Sequence, residues 1–307
     1  MNTHIAWRVG AATDAGRQRS VNEDRVFFDE SLGVFLVVDG MGGHAAGEIA
    51  AQTALDVIRG RAPSFEDAED LERDMREAIT AANNAVFHLS EQHDGFTGMA
   101  CVLTLAAARD GRVTVAHVGD SRLYLAWNGE LRKMTPDHSP VGEQEDGGEL
   151  TEQDAMNHPR RNEVYRDVGS ALHNPDDAEF IDTKSFLFRP DAALLLCSDG
   201  LSDVLTSAEI SSIVEHYDGD AEAVANELIN AANEAGGKDN VSVVFVPGPD
   251  FVGRDGVAIS AARQRHAVTR VRPPAGRWQS LLKTGILLLL GMAIGIALWI
   301  GIQRFWH

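Results

Sequence analysis

The chain has 307 residues, 44% of them hydrophobic, so a core of ordinary size can be buried. Its net charge of −19 is unevenly placed: the 57 residues from Phe251 on hold eight Lys/Arg and one acid, leaving −26 on residues 1–250. So acidic a body repels nucleic acid and favours cationic ligands, which excludes a polyanion-binding role. Cys101 and Cys197, the only cysteines, each sit inside an apolar run, and no secretory signal opens the chain. A disulfide scaffold is therefore not expected, and both read as core residues in a reducing compartment.

In chain order, Ile5, Trp7, Val9 and Ala11 alternate with other residues and predict an opening strand over His4 to Thr13. A polar loop, Thr13 to Asp24, leads to a second strand near Val26 to Phe28. A turn at Ser31 to Gly33 then feeds the apolar run Val34 to Val38, a strand buried on both faces. That run ends in Asp39-Gly40-Met41-Gly42-Gly43-His44, and a strand so deep does not end in an acid unless something pairs with the charge. Two helices follow, one carrying Ile49, Ala50, Thr53, Ala54, Val57 and Ile58, the other spanning Ala68 to Gln92.

Strands are predicted next over Met99 to Ala108, Val113 to Val118 and Leu123 to Ala126, with hairpin turns at Asp110-Gly111 and Asn128-Gly129. Pro136 to Asn162 turns polar, glycine-containing and acidic, a surface flap with a capping-box-like Thr151-Glu152-Gln153-Asp154. Phe180 to Phe188 and Ala192 to Cys197 return to strand. Helices near Ser207 to Glu215 and Ala221 to Ala235 precede a last strand, Val241 to Val246. Strands in hairpin order with helices grouped between them predict an α+β fold of packed layers.

Gly285 to Ile302 is eighteen residues without a charge, about 27 Å as a helix, which matches a bilayer core. Trp278 and Trp306 stand where interfacial aromatics belong. Six basic residues from Arg263 to Lys283 precede the segment and only Arg304 follows it, which predicts a cytoplasmic N-terminal domain at the inner membrane. The domain expectation is a catalytic body over 1–248, a basic Pro/Gly linker over 249–280, a membrane helix over 281–302 and a short tail over 303–307. Gly291 and Gly295 form a small-xxx-small pattern, from which a homodimer of membrane helices is an expectation.

Asp39, Asp120 and Asp199 each follow a hydrophobic strand with a glycine adjacent, and Asp239 comes just before one. Carboxylates gathered at one sheet edge repel each other unless hard cations neutralise them. Oxygen donors without paired His or Cys point to magnesium or manganese rather than zinc.

Five motifs in order resemble the bacterial PPM (type 2C) metal-dependent serine/threonine protein phosphatases. They are Asp14-x-Gly-x-x-Arg19-x-x-Asn22-Glu23-Asp24, Asp39-Gly40-Met41-Gly42-Gly43-His44, Gly119-Asp120-Ser121-Arg122, Ser198-Asp199-Gly200-Leu201 and Asp239-Asn240-Val241-Ser242-Val243-Val244, covering about Ile5 to Val246. The resemblance implies a four-layer α-β-β-α sandwich of two antiparallel sheets around two manganese or magnesium ions. It implies that Asp39 bridges both ions, that the Gly40 carbonyl helps hold one, and that Glu23, Asp199 and Asp239 ligate the other. A third, looser ion near Asp120 and Asp199 is implied as well. Arg19 would bind the phosphate through its guanidinium fork. His44 would protonate the leaving oxygen, and a metal-bridged hydroxide would attack phosphorus in line.

The partners so implied are phosphorylated proteins, namely a Ser/Thr kinase and its substrates, and the role is to oppose such kinases at the membrane. Relatives usually carry Met-Gly-Thr-Thr where this chain has Met99-Ala100-Cys101-Val102, which predicts altered packing behind the metals. That departure is the one support for an alternative, a catalytically silent phosphoprotein-binding module tethered to the membrane.

Overall fold

Alternation in the apolar strands decides the layering. In the strand Val34–Met41, Val34, Leu36 and Val38 face one way while Phe35 and Val37 face the other, and all five are fully buried. A strand with both faces buried lies between two apolar layers, here helices on one side and a second sheet on the other. The protein, a computed structural model, is described over residues 7–42 and 46–255.

The strands are β1 (Gly10–Asp14), β2 (Arg25–Asp29), β3 (Val34–Met41), β4 (Ala100–Arg109), β5 (Arg112–Val118), β6 (Arg122–Trp127), β7 (Glu130–Lys133), β8 (Asp182–Leu187), β9 (Ala193–Cys197) and β10 (Val241–Pro247). The helices are α1 (Ala46–Arg61), α2 (Leu71–Gln92), α3 (Pro140–Asp146), α4 (Glu152–Met156), α5 (Asp199–Ser202), α6 (Ser207–Val214) and α7 (Ala221–Glu234). Two five-stranded antiparallel sheets form, in the orders β1-β10-β9-β6-β7 and β2-β3-β4-β5-β8.

Three cores separate four layers. Between the sheets lie Phe35, Val37, Leu123, Leu194, Leu196, Val244 and Val246. Outside the second sheet, Ala50, Ala54, Ile58, Met75, Ile79 and Ala82 of α1 and α2 pack on Leu36, Val38, Leu103 and Leu105. Outside the first, Ile210, Val214, Val224 and Leu228 of α6 and α7 pack on Leu195, Val243 and Phe245. At roughly 25 cal/mol per Å², each fully buried Leu, Ile or Phe contributes about 1.5–3 kcal/mol. The α+β fold class and the two antiparallel sheets with flanking helices are as the sequence predicts, and all described residues belong to one compact unit.

Several boundaries differ from the sequence reading. The strand predicted to stop at Val38 runs on to Met41, because Asp39, Gly40 and Met41 pair with Val102, Cys101 and Ala100 of β4. Asp39 is thus inside the strand rather than after it. Ser198-Asp199-Gly200 is not a simple turn: Ser198 stands at the N-cap position and Asp199 opens α5. The opening strand starts at Gly10, with Trp7 packed between the sheets before it.

The flap is less of a surface feature than its composition suggests. Asp137, His138 and Ser139 at its base are fully buried. Within the acidic run, Glu145 pairs with Arg122 at 2.7 Å and Asp146 with Lys133 at 2.6 Å. Two buried or half-buried cations draw those acids inward.

The predicted membrane helix over 281–302, the Gly291 and Gly295 pair, most of the linker and the tail lie outside the described residues. Among the described residues no helix is long and apolar enough to cross a membrane.

Candidate metal centre

The loop between β1 and β2 is held in shape by one side chain from the far end of the chain. Asn240 accepts a hydrogen bond from the Glu23 N–H at 2.8 Å and donates to the Ala15 and Val21 carbonyls at 3.0 and 2.9 Å. The carboxylate of Glu23 accepts the Glu48 N–H in the first turn of α1, where a helix terminus favours negative charge. Gly40 makes this contact possible. A side chain there would collide with the Gly47 carbonyl of α1 and come within 2.7 Å of the Glu23 carbonyl.

Five strand or loop ends bring acids to this cleft. Asp39 comes from β3, Asp120 from the β5–β6 connection, Asp199 from α5, Asp239 from the start of β10 and Glu23 from the β1–β2 loop. The Asp39 carboxyl is pushed well above the ordinary carboxylate range, first by burial and then by the charges of Asp24, Asp199, Asp120 and Asp239. Asp199 is raised by burial and by Asp239, against a lowering from Arg161 and from its own hydrogen bond to Asp39. Asp120 is pushed up to about 7 by burial and by Asp199, and Glu23 is raised by burial despite Arg19.

Arg19 donates from Nη2 to Asp239 Oδ2 at 2.7 Å and is half exposed, so part of its fork remains open to the cleft. A cleft of about 290 Å³ opens on this group at Asp199 and Asp239. Arg19, Asp199, Asp203 and Asp239 form one side, facing Met156, His158 and Arg161 of the flap. A larger cleft of about 760 Å³ lies between the start of α2 and β8. It shares no lining residue with the smaller cleft, and its Arg76 is spent on the carbonyls of Pro175, Asp177 and Ile181.

Sequence reading missed several members. Asp24 is buried, and burial followed by the charges of Asp199 and Asp239 pushes its carboxyl up to about 7, against the hydrogen bonds of Ser198 and Ser242. Ser198 Oγ donates to Asp24 Oδ2 at 2.7 Å, while Asp24 Oδ1 is buried with no hydrogen-bond partner. Asp203 sits four residues after Asp199 and is raised well above the ordinary range by burial and by Asp199. The i, i+4 spacing on a helical turn was the available signal.

Arg161 reaches in from the flap, with Nη2 2.6 Å from Asp203 Oδ1 and Nη1 3.5 Å from Asp120 Oδ2. The 2.6 Å approach is an ion pair without hydrogen-bond alignment. His117 and His138 clamp the residue before Asp120. The Gly119 carbonyl accepts from the His138 N–H at 2.7 Å and lies 2.9 Å from His117 Nε2, and the Gly119 N–H donates to His138 Nδ1 at 3.0 Å. The His138 pairings join Gly119 to a residue 19 positions away, which nothing in local sequence announces.

His44 lies outside the described residues, with Gly43 and Ala45. Glu48, two residues into the described part of α1, is committed elsewhere: its carboxylate pairs with Arg25 Nη2 at 2.6 Å. The Met99 to Val102 departure falls on β4 directly beside Asp39 and Gly40, and Val102 packs against Gly119. It removes none of the acids.

The residues fit a hard divalent cation. Every donor is an oxygen, the acids raise one another, Asp24 leaves an oxygen unpaired, and only Arg19 and Arg161 form ion pairs with this group among the described residues. Among the described residues, no three or more His, Cys, Asp or Glu side chains are drawn together closely enough to hold a metal ion by themselves.

Known proteins similar to this chain are phosphatases. Residues 19–146 match the protein phosphatase 2C family model. A serine/threonine phosphatase, stp, of Listeria welshimeri is 36% identical over 240 residues, covering 76% of this chain and 93% of the relative. The crystal structure of the Mycobacterium tuberculosis serine/threonine phosphatase PstP/Ppp superposes with a TM-score of 0.69 at 32% identity, over 79% of this chain and 98% of that one. The catalytic domain of PstP in complex with two manganese ions gives 0.69 at 31% identity, over 78% and 97%.

Proposed function

The chain belongs to the bacterial PPM, or protein phosphatase 2C, family of serine/threonine phosphatases, and from that premise we propose how its residues divide the work and where it acts. Metal-dependent dephosphorylation of phosphoserine and phosphothreonine on proteins is the family's activity. Glu23, Asp39, the Gly40 carbonyl, Asp199 and Asp239 would hold two manganese or magnesium ions, with Asp120 near a third. When bound, the ions supply an activated water and neutralise charge on the phosphoryl oxygens.

The chain's own residues do the rest. Arg19 presents the open part of its fork to a phosphate monoester while Asp239 fixes its other side at 2.7 Å. Asn240 and the α1 terminus hold Glu23 in place, so that its carboxylate is preorganised. Asp24 sits behind Asp39 and Asp199, held by Ser198. His44 is the proposed proton donor to the leaving hydroxyl, on the strength of its place in the Asp39 to His44 motif.

The observation that carries this reading is the group of acids at one cleft that raise one another's pKa beside an arginine with an open fork. The silent-module alternative loses its support, since the Met99 to Val102 change leaves every acid in place. The uncharged segment and its flanking basic residues support tethering at the inner membrane with the domain in the cytoplasm, opposing Ser/Thr kinases there. The purified full chain with manganese should release phosphate from a phosphothreonine peptide, and lose that activity in EDTA. Absence of release, or fractionation of the cellular protein away from membranes, would overturn the corresponding half of the proposal.

A further inference from the structure

One cation that lines the cleft, Lys238, and a second mounted on the backbone beside it, Arg17, are left over once the charges there have been paired. Arg19 is tied to Asp239, and Arg161 is turned inward to Asp203 and Asp120. Arg17 and Lys238 are both exposed, and among the described residues neither side chain forms a hydrogen bond or an ion pair. Lys238 lines the cleft between Arg19 and Asp239 on one side and the flap on the other.

Their backbones are joined. The Arg17 and Gln18 N–H groups donate to the Gly237 carbonyl at 2.8 and 3.2 Å. Gly237 has φ +50 and no side chain, and one placed there would press within 2.7 Å of Arg17 Cγ and Asn233 Oδ1. The Arg17 stem therefore crosses over Gly237, next to Lys238. The mount is stiff: Gly237 N–H donates back to the Ala232 carbonyl, and Asp14 Oδ1 accepts from Gly16 N–H at 2.9 Å and Asn233 Nδ2 at 3.1 Å.

Two exposed cationic side chains on one stiff stretch of backbone therefore carry charge that no group among the described residues answers. The body around them carries −26 over residues 1–250, so at long range it repels acidic peptides. Screening limits that field to about 8–10 Å at physiological salt, and inside that radius the local pair reverses the sign.

We propose that Arg17 and Lys238 form a specificity subsite for an anionic side chain next to the phosphorylated serine or threonine. The preferred substrate is then a phosphoprotein segment with an acidic residue or a second phosphate beside the scissile one. This rests on the phosphatase reading above and names the substrate class for that same site.

The test compares kcat/KM of the manganese-loaded full chain on phosphothreonine peptides that carry Glu, a second phosphothreonine, Ala or Lys as the flanking residue. The wild-type protein should favour Glu over Lys by about five- to tenfold, as two exposed ion pairs allow. The difference should sit in KM and fade at high salt. The double variant Arg17→Ala/Lys238→Ala should level the peptides, and Arg17→Glu/Lys238→Glu should invert their order, which a merely unfolded or damaged protein cannot do. A gain confined to the doubly phosphorylated peptide identifies the second phosphate as the natural anion. An unchanged ranking in the Glu double variant overturns the subsite alone. No turnover of any peptide overturns the phosphatase reading, and the subsite falls with it.

Discussion

Asp137 and Asp39 are both carboxylates packed into one domain, yet the protein answers their charges in opposite ways. Asp137 meets Arg122 at 2.7 Å, Lys133 at 3.1 Å and Arg161 at 3.9 Å. Burial pushes its carboxyl up, but the charges of Arg122 and Lys133 outweigh that and hold it well below the ordinary range. Asp39 meets mainly other acids, and burial and their charges act in the same direction. The first cluster is complete within the chain and ties the flap to β6. The second is complete only when cations arrive from outside. Loss of solvent by itself therefore says little about role; the local charge balance separates a structural acid from a ligand.

Removing charge from the incomplete cluster should have the largest effect. Asp39→Asn or Asp239→Asn should lower kcat with manganese by about a thousandfold or more, since charge stabilisation in the transition state depends on the site they build. Phosphate release from a phosphothreonine peptide measures it. Residual activity near wild type would remove Asp39 from the centre of the site.

Breaking the complete cluster should instead cost stability. Arg122 is 2% exposed, and Arg122→Met leaves Asp137 buried without its main partner. A loss of about 3–5 kcal/mol is expected in urea denaturation. The double variant Arg122→Met/Asp137→Leu should recover most of it, because the fully buried charge is then gone and only the partly exposed Glu145 loses its partner. If the double variant is as unstable as the single, packing rather than charge holds that corner.

The two clusters should also respond to pH with opposite signs. Asp24 and Asp120 have folded values near 7 against an ordinary 3.8. Between those limits the folded state binds more protons than the unfolded one, so with metal chelated their contribution falls as pH rises from about 4 towards 7. Asp137 is shifted down, so its contribution is full above the ordinary carboxylate range and is lost as pH falls below it. Thermal melts in EDTA should therefore weaken as pH rises through 5 to 7, and manganese should raise the midpoint more at pH 8 than at pH 5. An equal manganese shift at both would contradict the assignment of these acids to a cation site.

The smallest effect lies away from both clusters. Thr206 caps α6 in a reciprocal box with Glu209. Thr206→Ala should cost about 1 kcal/mol in urea denaturation without changing turnover.

Much of this protein was legible without coordinates. The period-two apolar runs set the strands, and helical spacing set α2 and α7. The strand-end acids Asp39, Asp120, Asp199 and Asp239 pointed to a cation site, because each signal is local and repeats along the chain. What local sequence could not carry is which charges meet. Arg19 with Asp239, Asn240 with Glu23, and Arg161 with Asp203 are separated by 220, 217 and 42 positions. Asp24 looked like one more polar loop residue until folding buried it behind Asp39, and the acidic flap looked solvated until Arg122 drew Glu145 inward. Composition and periodicity by themselves determined the layers and the donors. Only the tertiary structure decided which acids are neutralised from within and which wait for a metal, because a charge's state depends on neighbours brought close in space rather than in sequence.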